Sequence, residues 1–247
     1  ILVITKVEYP EELDTRFSKF SEPDPEDVYD DALLGGGAPV TVQSMLNTKT
    51  TDVEGSLAQL RRLQAAGCEI ARLAVPDAAA ATAFGEIAAA SPLPLVADIH
   101  FDYKLALAAA RGGAAKIRIN PGNIGGPERV RAVAETCGAR GIPIRIGVNG
   151  GSLDKALLAQ YGAPTAEALV ESAFSHIRLL EACGFYDICV SMKSSRVPVM
   201  MEAYRLFHDR SDYPLHLGVT ETGTAYMGTV KSAMGIGGLL CLGIGDT

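Results

Sequence analysis

Short runs rich in β-branched residues alternate along this chain with longer stretches in which apolar positions recur every three or four residues. The short runs predict strands at 40–45 (VTVQSM), 70–76 (IARLAVP), 94–100 (PLVADIH), 115–120 (AKIRIN), 143–149 (PIRIGVN), 187–193 (DICVSMK) and 214–220 (PLHLGVT). The longer stretches predict helices at 52–66, 77–90, 103–112, 127–140, 165–183, 197–210 and 229–242. Several of these open after a capping residue such as Asp52, Asp77 or Thr165. Repeated strand, helix, strand order is the βαβ pattern, and seven units of it favour a closed parallel barrel over the alternative, an open doubly wound sheet. The expected class is therefore α/β, a TIM-like (β/α)8 barrel incomplete at its carboxyl end. GIGDT (243–247) leads towards an eighth strand whose sequence is not written. Either ILVITKVEY at the beginning completes the barrel, or the chain is a fragment of a longer protein.

Composition narrows the function classes. A chain of 247 residues, 48% hydrophobic, can bury one large core, and no apolar run approaches the roughly 20 residues of a membrane span. The opening residues do not fit a signal or transit peptide, so a cytoplasmic protein is expected. The five cysteines, Cys68, Cys137, Cys183, Cys189 and Cys241, are scattered and form no CxxC pair, which encodes neither a disulfide framework nor a local metal knuckle. Net charge is −7, yet residues 1–34 hold ten acids and three bases, and 19 of each remain from Gly35 onward. No basic stripe points to nucleic acid or a membrane surface, so any anion affinity must be local. Two parts are expected: an acidic, loosely ordered segment 1–34 and a barrel over 35–247.

Strand parity locates the chemistry. In a parallel barrel alternate residues face the lumen, and ligands bind at the carboxyl ends of the strands. Lys116, Arg118 and Asn120 share one parity, as do Arg145, Gly147 and Asn149, with aliphatic residues on the other. Asp98 and His100, Ser191 and Lys193, Arg72, and His216 followed by Glu221 complete the set. Any one cation is as readily a partner in a salt bridge. Together, Arg72, Arg118, Arg145 and Lys193 exceed Asp98 and Glu221, and charges at one rim cost stability unless a ligand solvates them. Arginine forks suit phosphoryl oxygens, and His100 beside Asp98 is a candidate acid, base or hydrogen-bond donor. The glycines of INPGNIGG and VNGG are either phosphate contacts or plain turns. His176 and His208 read as structural, and Met192, Met200, Met201, Met227 and Met234 as core filler.

The strings GGGAPVTVQSM, RLAVPD, LVADIHFDYKLALAA, KIRINPGNIG, IPIRIGVNGGSL, SMKSS and DYPLHLGVTETGT, in that order, closely resemble the 4-hydroxy-3-methylbut-2-enyl diphosphate synthase family from about Gly35 to Thr247. The resemblance implies reductive ring opening of 2-C-methyl-D-erythritol 2,4-cyclodiphosphate in isoprenoid biosynthesis. Two electrons would arrive through a four-iron four-sulfur cluster from ferredoxin or flavodoxin. By motif match it implies diphosphate binding by Arg72, Arg118, Arg145 and Lys193. Asn120, Asn149, Asp98 and His100 would touch the substrate's polar groups, and Glu221 would be the acid for the departing hydroxyl. In the family the cluster ligands, three cysteines and a glutamate, lie beyond the barrel, and none of the five cysteines here matches that motif, so no metal ligand is expected in this chain. A homodimer is implied for the full-length protein, and segment 1–34 departs from the family pattern. Two further readings compete: a substrate-binding remnant without turnover, and a phosphosugar lyase or aldolase using Lys193 as a Schiff base. A pterin-dependent transferase on the same barrel is a further alternative.

Overall fold

The computed structural model describes residues 34–247; the expectation of an acidic, loosely ordered segment falls almost wholly outside them. Six parallel strands, β1 (Gln43–Met45), β2 (Ile70–Ala74), β3 (Leu95–Asp98), β4 (Lys116–Ile119), β5 (Ile144–Asn149) and β6 (Ile188–Lys193), pair in chain order. Between them run α1 (Val53–Ala65), α2 (Ala78–Ala90), α3 (Tyr103–Arg111), α4 (Pro127–Gly138), α5 (Lys155–Tyr161) and α6 (Ala166–Glu181). After β6 come α7 (Val197–His208), α8 (Ala225–Ser232) and α9 (Gly238–Leu240). The cap residues act as expected: Asp52, Asp77 and Thr165 accept from the backbone N–H of Gly55, Ala80 and Ala168, satisfying donors that a helix leaves unpaired.

Parity sorts the two faces of the sheet. Ala71, Leu73, Ala97, Ile117, Ile119, Ile144, Ile146, Val148, Val190 and Met192 belong to the buried core beneath the helices. Their neighbours Arg72, Asp98, Arg118, Arg145 and Lys193 face inward. Register fixes their heights, with Asp98 opposite Arg118, Arg118 opposite Arg145, and Asn149 opposite Lys193. One residue of slip in any strand would turn its charge into the aliphatic layer, so burial of that layer enforces the site.

Four expectations need correction. Segment 214–220 does not form a regular strand; it makes one bridge, Leu215 to Val190, and continues as extended chain. The cause is Tyr204 of α7, whose buried hydroxyl enters the sheet there, accepting from Met192 N–H (3.0 Å) and donating to the His216 carbonyl (2.6 Å). Helix α5 was not anticipated, because its seven residues are too few to display a period. The helix expected at 229–242 starts at Ala225 behind a Thr224 cap and contains a π turn over Ala233–Gly237. Within that turn Gly235 passes so close to Met200 that a β-carbon would collide with it. Met192 and Met200 are core, but Met227 and Met234 are 43% and 62% exposed, since among the described residues no layer covers the outer side of α8 and the π turn.

The eighth position is partly occupied. Thr41 N–H donates to the Asp246 carbonyl, and Leu217 N–H to that of Thr247, so these two residues lie between segment 214–220 and the approach to β1. The barrel is thus curled and begun on its closing side, in line with the incomplete (β/α)8 reading.

His176 of α6 illustrates how the outer layer supports the loops. Its imidazole lies against Gly122 of the β4–α4 loop, and burial pushes its pKa down to about 4. An unfolded histidine takes up a proton below about 6.5, whereas the folded one resists it, so stability should fall as pH drops from about 6.5 towards 4. We expect His176→Gln to remove roughly 2 kcal/mol of that loss, read as a flatter dependence of urea-unfolding free energy on pH.

Candidate functional site

Five inward side chains from β2 to β6 meet near the carboxyl rim. Asp98 is the hub: its Oδ1 accepts from Arg118 Nη1 at 3.1 Å, while Arg72 Nε and His100 Nε2 stand 3.7 and 3.5 Å from its Oδ2. Burial raises the cost of this carboxylate, but Arg72 and Arg118 outweigh it and hold the group below its ordinary range. Arg118 spends another N–H on the Gly147 carbonyl (3.2 Å), and Arg72 also donates to the Met45 thioether (2.8 Å).

Arg145 has a different environment. It is 1% exposed, and none of its three guanidinium nitrogens has a hydrogen-bond partner among the described residues. Burial and the neighbouring Arg72 and Arg118 bring its pKa down to about 9. Lys193 is likewise pushed well below the lysine range, first by burial and then by Arg145, Arg72 and Arg118. Buried His216 has its pKa pushed well below the histidine range, first by burial and then by Arg145, Lys193, Arg72 and Lys116. One carboxylate facing four basic groups leaves a concentrated positive field in a water-poor setting, which a polyanion could neutralise.

Two lumen glycines make room for these arms. A β-carbon on Gly147 would collide with the Arg118 guanidinium, and one on Gly218 would stand 2.7 Å from Lys193 Cε. Each long cation therefore lies across a glycine of the neighbouring segment, Gly147 of β5 or Gly218 of 214–220. Sequence reasoning missed this pairing, although glycine at lumen parity in IRIGVN and LHLGVT was a readable signal.

The remaining candidates divide. His100, its side chain 51% exposed, stands at the mouth beside Asp98. Asn149 carries a buried Oδ1 without a partner, a free acceptor next to Lys193 in register. Asn120 is buried, but its Oδ1 accepts from Gly122 N–H, so that oxygen shapes its own turn. Glu221 is exposed beyond segment 214–220, its carboxylate near Gly151, and makes no ion pair with the arginines among the described residues. It holds a left-handed backbone, φ 51°, the only non-glycine residue to do so among those described. Such a conformation costs about 1 kcal/mol or more and persists where surrounding structure imposes it. Lys116 lies a layer deeper and lines the opposite end of the barrel.

That opposite end holds a cavity of about 270 Å³ lined by Ile70, Val96, Lys116, Asp187, Cys189 and Pro214, among others. Its walls are largely aliphatic and prolyl, and catalysis in parallel barrels belongs to the other face. The charged rim is the better candidate. Among the described residues no group of three His, Cys, Asp or Glu side chains is placed to hold a metal ion, and no helix is long and apolar enough to cross a membrane.

Known proteins give independent bearings. Residues 28–247 match the family model described as the GcpE TIM-barrel domain. A protein of Caldanaerobacter subterraneus subsp. tengcongensis, named 4-hydroxy-3-methylbut-2-en-1-yl diphosphate synthase (flavodoxin), is 58% identical over 214 residues, covering 87% of this chain and 60% of the relative. The Clostridium perfringens protein of the same name is also 58% identical, covering 87% of this chain and 61% of its own length. The chain thus spans about 60% of the curated relatives it matches. Among solved structures, 3-dehydroquinate dehydratase of Geobacillus kaustophilus superposes with a TM-score of 0.56 at 13% identity, and dihydropteroate synthase of Yersinia pestis with 0.55 at 16%; each match covers 82% of this chain and 80% of the other. These two likenesses speak for the barrel fold alone.

Proposed function

Because the chain belongs to the GcpE TIM-barrel family, we propose that it is the substrate-holding barrel of a 4-hydroxy-3-methylbut-2-enyl diphosphate synthase, and that its rim grips 2-C-methyl-D-erythritol 2,4-cyclodiphosphate. One observation carries the proposal: a fully buried Arg145 whose donors all lack partners among the described residues, ringed by Arg72, Arg118 and Lys193. Desolvating such a charge without compensation costs several kcal/mol, and a diphosphate supplies the missing acceptors. Asn120, Asn149, Asp98 and His100 would order the polyol and phosphate oxygens, and Glu221 would stand as the acid for the departing hydroxyl. The barrel domain is assigned to 35–247.

In this reading the electrons come from flavodoxin or ferredoxin through a four-iron four-sulfur cluster. The described residues do not fit that cluster: Cys68, Cys137 and Cys189 are buried at separate places, and Cys183 and Cys241 lie apart from the rim. The cluster's ligands would therefore come from elsewhere in the intact enzyme, a homodimer acting in the cytoplasm. The chain as given should bind the cyclodiphosphate in calorimetry without reducing it; turnover by cluster-reconstituted protein of this length would refute the division of labour.

Binding should also move protons. Lys193 loses basicity through burial and the arginines around it, and a bound diphosphate reverses that field. Titrations in buffers of different ionisation enthalpy should show net proton uptake on binding, and Lys193→Met should reduce it. The same weakly basic amine motivates the Schiff-base reading, which predicts a permanent mass gain after borohydride treatment with a phosphosugar, where diphosphate gripping predicts none.

A further inference from the structure

The contact between β6 and segment 214–220 begins as an ordinary parallel ladder: Val190 N–H donates to the Pro214 carbonyl and His216 N–H to the Val190 carbonyl, both at 2.8 Å. In such a ladder the next rung runs directly from Met192 N–H to the His216 carbonyl. Here the Tyr204 hydroxyl occupies that rung, bonded to both groups, with Gly218 N–H facing the same oxygen. Two hydrogen bonds in series replace one of about 2.9 Å, which holds the strands as much as roughly 2 Å further apart. Contact resumes only at Thr220 N–H to the Ser194 carbonyl, at 3.4 Å.

Backbone satisfaction does not require this device, since a direct rung would satisfy the same two groups without burying a phenol. What the opening provides lies on its lumen side. There Lys193 crosses Gly218, within 2.7 Å of where a β-carbon would stand. We propose that Tyr204 is a positioning residue for anion binding, its hydroxyl wedging β6 from segment 214–220 so that Lys193 lies across Gly218 with its amine among Arg72, Arg118 and Arg145. This rests on the diphosphate-binding reading above. Tyr204 itself reaches no ligand, because it enters from α7, outside the barrel, and is fully buried.

The test is a double-mutant cycle read by calorimetric titration with 2-C-methyl-D-erythritol 2,4-cyclodiphosphate, with thermal unfolding recorded in parallel. Tyr204→Phe should weaken binding about tenfold, and less than about twofold once Lys193→Met is present. An equal loss in both backgrounds, or none in the folded single variant, overturns the proposal, because a merely structural tyrosine has no reason to act through Lys193. Should Tyr204→Phe fail to fold, Gly218→Ala occupies the lysine's path from the lumen while leaving Met192, His216 and Tyr204 in place. It should also cost about tenfold in the wild-type background and little beside Lys193→Met, and unchanged affinity would overturn the seat. A wild-type chain that binds no cyclodiphosphate refutes the underlying reading instead, and the wedge proposal with it. Binding that Lys193→Met weakens but Tyr204→Phe and Gly218→Ala spare refutes the wedge alone.

Discussion

Arg145→Met should make this protein more stable and less able to bind. The wild-type guanidinium is 1% exposed and has no hydrogen-bond partner among the described residues, so its removal relieves an uncompensated desolvation, worth about 1 to 3 kcal/mol of unfolding free energy. Methionine fills a similar volume without a charge. Affinity for the cyclodiphosphate should drop by roughly 1.5 to 3 kcal/mol, the scale of charge-assisted hydrogen bonds lost. Urea unfolding and calorimetry on one preparation measure both. A variant that is destabilised and still binds normally would mean that Arg145 has an internal partner and no ligand role.

Asp98→Asn should do the reverse to stability. The carboxylate holds Arg118 and Arg72 together, and the neutral amide leaves those cations facing Arg145 and Lys193 with no anion between them. Breaking a buried pair from one side typically costs 3 to 5 kcal/mol; because the arginines keep slight solvent access, 16% and 12% for their side chains, about 3 kcal/mol is expected. Added pyrophosphate should restore much of it, since a ligand that binds only the folded state stabilises it by mass action. The wild-type melting temperature should rise less with the same addition. Equal rises in both proteins would show that the anion does not take over the carboxylate's charge. The depressed pKa of Asp98 works in the same direction: its contribution is complete above the ordinary carboxylate range and disappears as pH falls through the folded value.

Strand parity was the legible part. Alternation in AKIRIN and PIRIGVN placed Arg118 and Arg145 in the lumen, and the paired ladder bears that out, because a period of two leaves an inward charge no other face once its neighbours are buried. Caps were legible for the same local reason. The fate of PLHLGVT was not: it has strand composition, and only the hydroxyl of a residue ten positions earlier, on a helix, opens its ladder. Asn120 was given to the substrate by motif match alone; that its Oδ1 also accepts from Gly122 N–H depends on the conformation of Pro121 and Gly122, which the residue letters do not carry. Met227 and Met234 have the spacing of a buried stripe, and composition cannot tell which side of a helix lacks a covering layer.

Arg118 resting on Gly147, and Lys193 on Gly218, has a bearing on protein engineering. The arms of this site are two-strand units, each a long base together with the vacancy beside it. Transplanting the bases alone onto another barrel would leave them jammed against an ordinary side chain and pointing elsewhere. A designer copying the grip would need to carry the neighbouring glycine along with every arm.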